Sequence, residues 1–322
     1  MIVAILSDIH YAGAAERTRD NDYELRVITN TVLRTAVHVY RHIFWMRYPL
    51  NQAPQLERFI AEVGPVDYFV ANGDYSCDTG FVGVSDPAAK QSVRECLGKL
   101  RRKFGDNARF TIGDHELGKL AFFGGGVGGM RLASWQCATE SLGLQPFWQL
   151  NIGHYVLMGV ASPLIALPAN QPDALPEEWP EWLRLRATHL AEIRNAFNAL
   201  QSDQRVILFC HDPTALPFLW REESVRRRLS QVEQTVIGHL HTRLILWKSR
   251  RLSGIPPIQF LGHFVHRFTS ALHQASYWWP FRVHLCPALS GTELLNDGGY
   301  YTMEIDPTAN RFAQFRFHPL SR

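Results

Sequence analysis

Aspartate and histidine residues occur in five short motifs of this chain, each at the end of an apolar run. The motifs read SDIH, NGDYS, GDHE, CHDP and GHLH, and the residues concerned are Asp8, His10, Asp74, Asp114, His115, His211, His239 and His241. Any one of them has an ordinary explanation, because aspartate is common in turns and a lone histidine is more often a structural polar residue than a ligand. Five such motifs in one chain are less easily explained separately, and they favour a shared site.

The residue types indicate the chemistry of that site. Carboxylates and imidazoles without thiolates suit divalent ions such as manganese, iron or zinc. Two ions ~3.5–4 Å apart clamp the attacking and leaving oxygens of a phosphoryl displacement and lower the pKa of bound water. We therefore expect two divalent or mixed-valence ions as cofactors, and hydrolysis of a phosphomonoester, phosphodiester or pyrophosphate bond by metal-activated hydroxide.

The motifs need a scaffold that brings strand ends together. Apolar runs predict strands at Ile2–Ser7, Val66–Asn72, Ala108–Ile112, Tyr155–Val160, Val206–Cys210, Thr235–Ile237, Ile258–Leu261, Val283–Cys286, Tyr301–Ile305 and Phe312–Phe317. Helical patterns cover Ala89–Arg102, Glu178–Ala199 and Glu222–Val232. Early strands alternate with helices and late strands crowd together, which predicts a layered α/β sandwich with mixed sheets. Ligands in open α/β sheets bind beyond the carboxyl ends of the strands.

The composition is that of a folded globular protein, with 46% apolar and 20% charged residues, and we expect one domain over residues 1–322. A net charge of +3 is too small to predict a nucleic-acid partner. No stretch is apolar enough to span a membrane, and the start MIVAILSDIH predicts a buried strand rather than a signal peptide. Five scattered cysteines without a C-x-x-C pair favour a reducing, cytoplasmic setting.

The ordered series D-x-H, GD, GDH(E), HD and GH-x-H resembles the calcineurin-like metallophosphoesterase superfamily, and the later CPALSG and GGYYTMEID resemble the closing strands of that fold. The resemblance implies a four-layer αββα sandwich. One ion would be held by Asp8, His10 and His241. The other would be held by Asp114, His211 and His239, with Asp74 bridging the pair. His115 would be the cation that stabilises the phosphoryl transition state or protonates the leaving oxygen.

One position departs from the family pattern, because Asp114 stands where the third motif has a neutral asparagine. The number of carboxylates at the centre therefore increases from two, those of Asp8 and Asp74, to three. Added negative charge binds a cation more tightly but weakens its Lewis acidity. A different preferred metal, a tuned active site, and a metal-binding interaction protein that hydrolyses poorly all stay open. A nuclease is a further alternative, although the basic residues are spread rather than clustered.

The interval between the first two motifs is long for one strand-to-strand crossover, and we expect a helical insertion or lid over residues 12–60. Its centre, Ile28–Leu50, predicts a helix with a wide apolar face and with Arg34, His38 and Arg41 on one stripe. Such a helix would either pack against the sandwich or lie on a membrane surface. Residues 28–50 are therefore a candidate for peripheral membrane contact.

Two further stretches are expected near the site. The glycine-rich Phe123–Met130 lacks the Lys-Ser/Thr of a phosphate loop and predicts a flexible loop. The aromatic and basic stretch His263–His284 would suit an amphiphilic or base-bearing phosphoester, although core packing explains its rings equally well. With the insertion, it would give an arrangement similar to that of the UDP-2,3-diacylglucosamine hydrolases of the same superfamily. An amphiphilic or nucleotide-linked substrate is therefore one expectation.

Overall fold

Two five-stranded sheets form the centre of the fold. The computed structural model describes residues 1–121, 125–256 and 263–320, and for residues 263–268 it describes the backbone alone. The sheet orders are β10-β9-β1-β2-β3 and β4-β5-β6-β7-β8. The strands are β1 (Ile2–Leu6), β2 (Tyr68–Asn72), β3 (Ala108–Thr111), β4 (Phe147–Ile152), β5 (Tyr155–Val160), β6 (Arg205–Cys210), β7 (Val232–Ile237), β8 (Val283–Leu285), β9 (Gly299–Glu304) and β10 (Gln314–Pro319).

Each sheet has a parallel part and an antiparallel edge. Strands β1, β2 and β3 are parallel, while β9 pairs antiparallel with β1 and β10 antiparallel with β9. Strands β5 to β8 are parallel, and β4 joins β5 antiparallel. Continuous apolar runs such as IVAIL in β1 and YVLMGV in β5 suit parallel strands that are covered on both faces. The parallel strands set their carboxyl ends side by side.

Helices connect the strands and cover the outer faces of the sheets. The α-helices of the described ranges are α1 (Ala14–Arg17), α2 (Thr31–Tyr40), α3 (Ala53–Glu62), α4 (Pro87–Phe104), α5 (Asp114–Leu117), α6 (Leu132–Gln136), α7 (Ser162–Ile165), α8 (Trp179–Ala199), α9 (Leu216–Arg221), α10 (Glu223–Arg227), α11 (Arg243–Arg251) and α12 (His263–Gln274). Two π-helical turns occur at Arg41–Trp45 and Cys137–Ser141. None of these helices combines the length and the apolar content that crossing a membrane requires.

Three clusters of buried apolar residues lie between the layers of the fold. One lies between the two sheets and contains Ile5 of β1 and Phe209 of β6. A second packs α3 and α4 on the first sheet, with Phe59 and Val93 fully buried. The third packs α8 on the second sheet through Phe197. The result is the four-layer αββα sandwich, so the predicted fold class is confirmed.

Some element predictions differ from the structure. Strand β4 is absent from the predicted set because its buried and exposed residues alternate, as expected of an edge strand. The predicted helix Glu222–Val232 is wrong beyond α10, since a 3₁₀ turn at Leu229–Gln231 leads into β7 there. The predicted strand Ile258–Leu261 lies outside the described residues.

The predicted helix Ile28–Leu50 is shorter in the structure. Asn30 caps α2 by accepting a hydrogen bond from the Leu33 backbone N–H, and the π-helical turn Arg41–Trp45 ends the helical segment. No residue of α2 is buried, so the helix does not pack into the sandwich. The expected basic stripe is also wrong at Arg41, which is buried, donates to the Asn21 carbonyl and lies 5.9 Å from the Tyr23 ring.

The two stretches expected near the site are partly described. Residues 123 and 124 of the glycine-rich segment lie outside the described ranges, and Gly129 is fixed by donating its backbone N–H to the Phe81 carbonyl. In the aromatic stretch, Trp278 and Phe281 belong to the core beside the second sheet, whereas Trp279 is exposed. Core packing therefore accounts for Trp278 and Phe281.

Candidate metal centre

The eight residues of the five motifs lie together, beyond the carboxyl ends of five parallel strands. Those of β1, β2 and β3 come from the first sheet, and those of β6 and β7 come from the second. The two sheets meet here directly, because the His239 backbone N–H donates to Asp8 Oδ1 at 3.0 Å. The strand topology therefore brings the five motifs together at one edge, as predicted.

The potential ligand atoms form adjoining groups in which all atoms lie within 4.8 Å of one another. One group contains Asp8, His10 and His241. A second contains Asp74, Asp114, His211 and His239. Asp74 also groups with His10 and His115, so its carboxylate lies between the two sets.

Short distances link carboxylates to imidazoles throughout the centre. His211 Nε2 lies 3.1 Å from Asp74 Oδ2 and 3.2 Å from Asp114 Oδ1. His239 Nδ1 lies 3.0 Å from Asp114 Oδ1. His241 Nε2 lies 3.3 Å from Asp8 Oδ1. These atoms are close enough to share a small cation.

Three histidines are oriented by backbone carbonyls that follow or end β2. The Nδ1 atoms of His10, His211 and His115 contact the carbonyl oxygens of Ser76, Asn72 and Cys77 respectively. A carbonyl only accepts hydrogen bonds, so each Nδ1 carries the proton and each Nε2 faces the centre. This is the orientation that protein groups around a metal site impose on histidine ligands.

The backbone is strained where the ligands sit. Asp8, His10, Asp74, His239 and His241 all have φ between 47° and 57°, a region that side chains other than glycine rarely occupy. Such strain clusters at functional sites, where the surrounding structure enforces it.

Two motif glycines leave room for the carboxylates. A Cβ atom on Gly113 would lie 2.2 Å from Asp74 Oδ1, and one on Gly238 would lie 2.3 Å from Asp8 Oδ2. Both distances are far below van der Waals contact, so the glycines of GDHE and GHLH are required for close approach.

Comparison with known proteins decides the family. A model of the calcineurin-like phosphoesterases matches residues 1–243. The chain belongs to the calcineurin-like phosphoesterase family. The resemblance seen in the motifs is thereby confirmed. A solved structure, a dimetal phosphatase from Danio rerio, is similar with a TM-score of 0.46 and 11% identity over 95% of this chain and 92% of that chain. A comparison with curated proteins found no match.

The donor set of this calcineurin-like phosphoesterase fits cations. Buried polar atoms are nearly always paired, yet His10 Nε2, His211 Nε2 and His241 Nδ1 have no hydrogen-bond partner. Two of them, His10 Nε2 and His211 Nε2, face carboxylate-bearing groups in the centre. Carboxylate oxygen and imidazole nitrogen are the ligands that manganese, iron and zinc accept.

Charges within the centre shift the pKa values of its residues. Burial would raise the pKa of Asp114, but His239 and then Lys119 hold it well below its ordinary range. Burial opposes protonation of His239, but Asp114 outweighs it and raises the pKa of His239 to about 9. A protonated imidazole cannot bind a metal ion, so cation binding here must displace protons.

His115 lies in the centre as expected, but its surroundings disfavour the protonated imidazole. Burial and then the positive charge of Lys119 lower the pKa of His115 to about 3, against an opposing effect of Asp74. The imidazole is therefore neutral near pH 7 in this arrangement. Its expected role as a cation or proton donor stays a prediction, because a bound anion or cation changes the charges that set this pKa.

Three residues of the centre were not predicted as site residues from the sequence. Glu116 is fully buried and its carboxylate accepts three backbone N–H groups of the site loops. Lys119 contacts His115 Nε2 and lies 3.7 Å from Asp114 Oδ2. The Trp45 ring lies 4.8 Å from the His241 ring, centroid to centroid. Glu116 is the last residue of GDHE and Lys119 lies three residues further along the chain, whereas nothing along the chain links Trp45 to His241.

Proposed function

We propose that this calcineurin-like phosphoesterase hydrolyses phosphoester or pyrophosphate bonds with two divalent cations. The observation that carries the proposal is the pair of adjoining aspartate and histidine groups, with the Asp74 carboxylate between them. A single cation would leave one of these groups without a function. Cations ~3.5–4 Å apart suit a phosphoryl group that contacts both.

The chain's own residues have distinct tasks in this proposal. Asp8, His10 and His241 would hold one cation, while Asp114, His211 and His239 would hold the other. Asp74, whose carboxylate lies between the two groups, would serve both. When bound, the cations supply Lewis-acid activation of water and of the phosphoryl group. His115, whose Nε2 lies 3.7 Å from Asp74 Oδ2, would lie beside the bound substrate.

The surroundings favour a substrate with an apolar or aromatic part. Trp45 is half-buried and lies against His241, while Ile43 and Phe44 of the same turn are exposed. Leu294, also exposed, donates its backbone N–H to the Phe44 carbonyl, so the apolar surface continues beyond the turn. Aromatic surface beside a polar centre suits an amphiphilic or base-bearing ester. Manganese, iron or zinc are the proposed metals.

Metal content per chain tests the dinuclear centre. We expect two ions in wild-type protein purified without chelator, and at most one in Asp74→Ala. Asp203→Ala is the matched control, because Asp203 is exposed and paired with His154 away from the centre. Circular dichroism verifies that all three proteins are folded. One ion or none in wild type, even after manganese or iron is supplied, would contradict the proposal.

Turnover separates a hydrolase from a metal-binding interaction protein. The manganese-loaded protein is assayed on phosphomonoesters, phosphodiesters and pyrophosphates, each in a small polar and an amphiphilic form. Hydrolysis that depends on the Asp74 carboxylate supports the hydrolase. Two bound ions without turnover of any of these compounds would favour the interaction protein.

A further inference from the structure

Lys119 places a positive charge inside the centre. Its Nζ contacts His115 Nε2 and lies 3.7 Å from Asp114 Oδ2, and its side chain is only 23% exposed. Burying an ammonium group is costly unless it is paired. The proposed division of ligands gives this residue no task.

The backbone around Lys119 is firmly positioned. Gly118 has φ 93°, and a Cβ atom there would lie 2.5 Å from the Gly129 carbonyl oxygen. The Lys119 backbone N–H donates to the Phe81 carbonyl at 3.2 Å. The lysine therefore enters the centre from a fixed turn.

The charges around Nζ explain its orientation. Asp114 adds a third carboxylate to those of Asp8 and Asp74, and it is the carboxylate nearest to Lys119. An ammonium group has three donors, of which His115 Nε2 takes one, while Asp114 Oδ2 at 3.7 Å acts through its charge rather than through a hydrogen bond. The remaining donors and the partial exposure leave Nζ accessible to an anion entering the centre.

We propose that Lys119 binds a phosphoryl oxygen of the substrate, with Asp114 and His115 holding its ammonium group in place. The inference rests on the proposed function, since it requires a phosphoryl group at this centre. It also gives a role to Asp114, which stands where the third family motif has an asparagine. The added carboxylate positions a lysine that carries positive charge to the phosphoryl group.

Inorganic phosphate is the probe, titrated calorimetrically into manganese-loaded protein, with metal content measured on the same samples. We expect Lys119→Met to keep two ions and to bind phosphate roughly 10- to 100-fold more weakly, the loss of one charge-assisted hydrogen bond. Lys119→Arg keeps the charge and should recover most of the affinity. Circular dichroism verifies the fold of each variant.

The double variant Asp114→Asn with Lys119→Met distinguishes contact from charge balance. If Lys119 contacts phosphate, the double variant stays weak. Recovery of wild-type affinity in the double variant would overturn the inference, because Lys119 would then only neutralise Asp114. Unchanged affinity or lost ions in Lys119→Met would overturn it as well. Failure of the proposed function is separate, since wild type itself would then lack the ions or the phosphate binding.

Discussion

Glu116 ties together the two loops that carry Asp74 and Asp114. Its Oε2 accepts the backbone N–H groups of Gly113 at 2.8 Å and Asp74 at 3.0 Å, and its Oε1 accepts that of Tyr75 at 2.8 Å. The side chain is fully buried. The position of the central carboxylates therefore depends on one glutamate.

Two substitutions at Glu116 should destabilise the protein to different extents. Glu116→Ala leaves three buried N–H groups without an acceptor, at about 1–3 kcal/mol each, so we expect a loss of roughly 3–9 kcal/mol, against a total stability of about 5–15 kcal/mol. Glu116→Gln keeps one oxygen for two of the donors and turns an amide NH₂ toward the third. Its expected loss is about 1–3 kcal/mol.

Urea unfolding, followed by circular dichroism in the presence of a chelator, measures these losses without a contribution from metal binding. Glu140→Ala serves as the control, because Glu140 is exposed and surface changes usually stay within about 0.5 kcal/mol. Metal content, measured separately without chelator, should fall in both Glu116 variants. A loss below about 1 kcal/mol in Glu116→Ala, with normal metal content, would refute the positioning role.

Two further predictions concern stability. Burial and two nearby arginines lower the pKa of His284 from 6.5 to about 4. Between these pH values His284 is protonated in the unfolded chain and neutral in the folded chain. The free energy of unfolding of wild type therefore decreases by up to about 3 kcal/mol as the pH falls through this window. The free energy of unfolding of wild type should therefore fall by roughly 2–3 kcal/mol relative to that of His284→Phe from pH 7 to pH 4.5, and a constant difference would contradict the assignment. Gly159→Ala should cost about 1–3 kcal/mol or more, because its Cβ would lie 2.1 Å from the Trp148 ring. Gly98→Ala is the matched control in α4, where a Cβ meets only Arg102 Nη1 at 3.5 Å, and thermal unfolding should show it stabilised by about 0.5–1 kcal/mol; equal melting temperatures of the two variants would refute the packing argument.

The motifs predicted the centre better than they predicted the elements around it. Asp8 and His239 could be placed together because both follow apolar strands, and parallel strands share one edge. Strand β4 could not be found from apolar runs, since exposed residues interrupt it. The prediction of a helix up to Val232 was wrong because a charged, partly apolar run has the same pattern as an amphipathic helix. Only the pairing of β7 with its neighbouring strands shows where the helix ends.

Contacts between residues that are distant in the chain could not be predicted from the sequence. The π-helical turn Arg41–Trp45 interrupts the regular helical repeat, and the Trp45 ring at its end lies against the His241 ring. Regular helical periodicity cannot anticipate that interruption. The three-fold role of Glu116 likewise depends on two loops that meet only after both strands have paired.

The division of the centre between the two sheets has a thermodynamic consequence. Aspartates come from the first sheet and most of the histidines from the second, so any ligand that contacts both is bound only while the sheets are docked. Binding then adds to the free energy of docking by mass action, about 2.7 kcal/mol at a hundredfold excess over Kd. The melting temperature of this protein should accordingly rise with the concentration of the cation, and variants are comparable only at a fixed cation concentration.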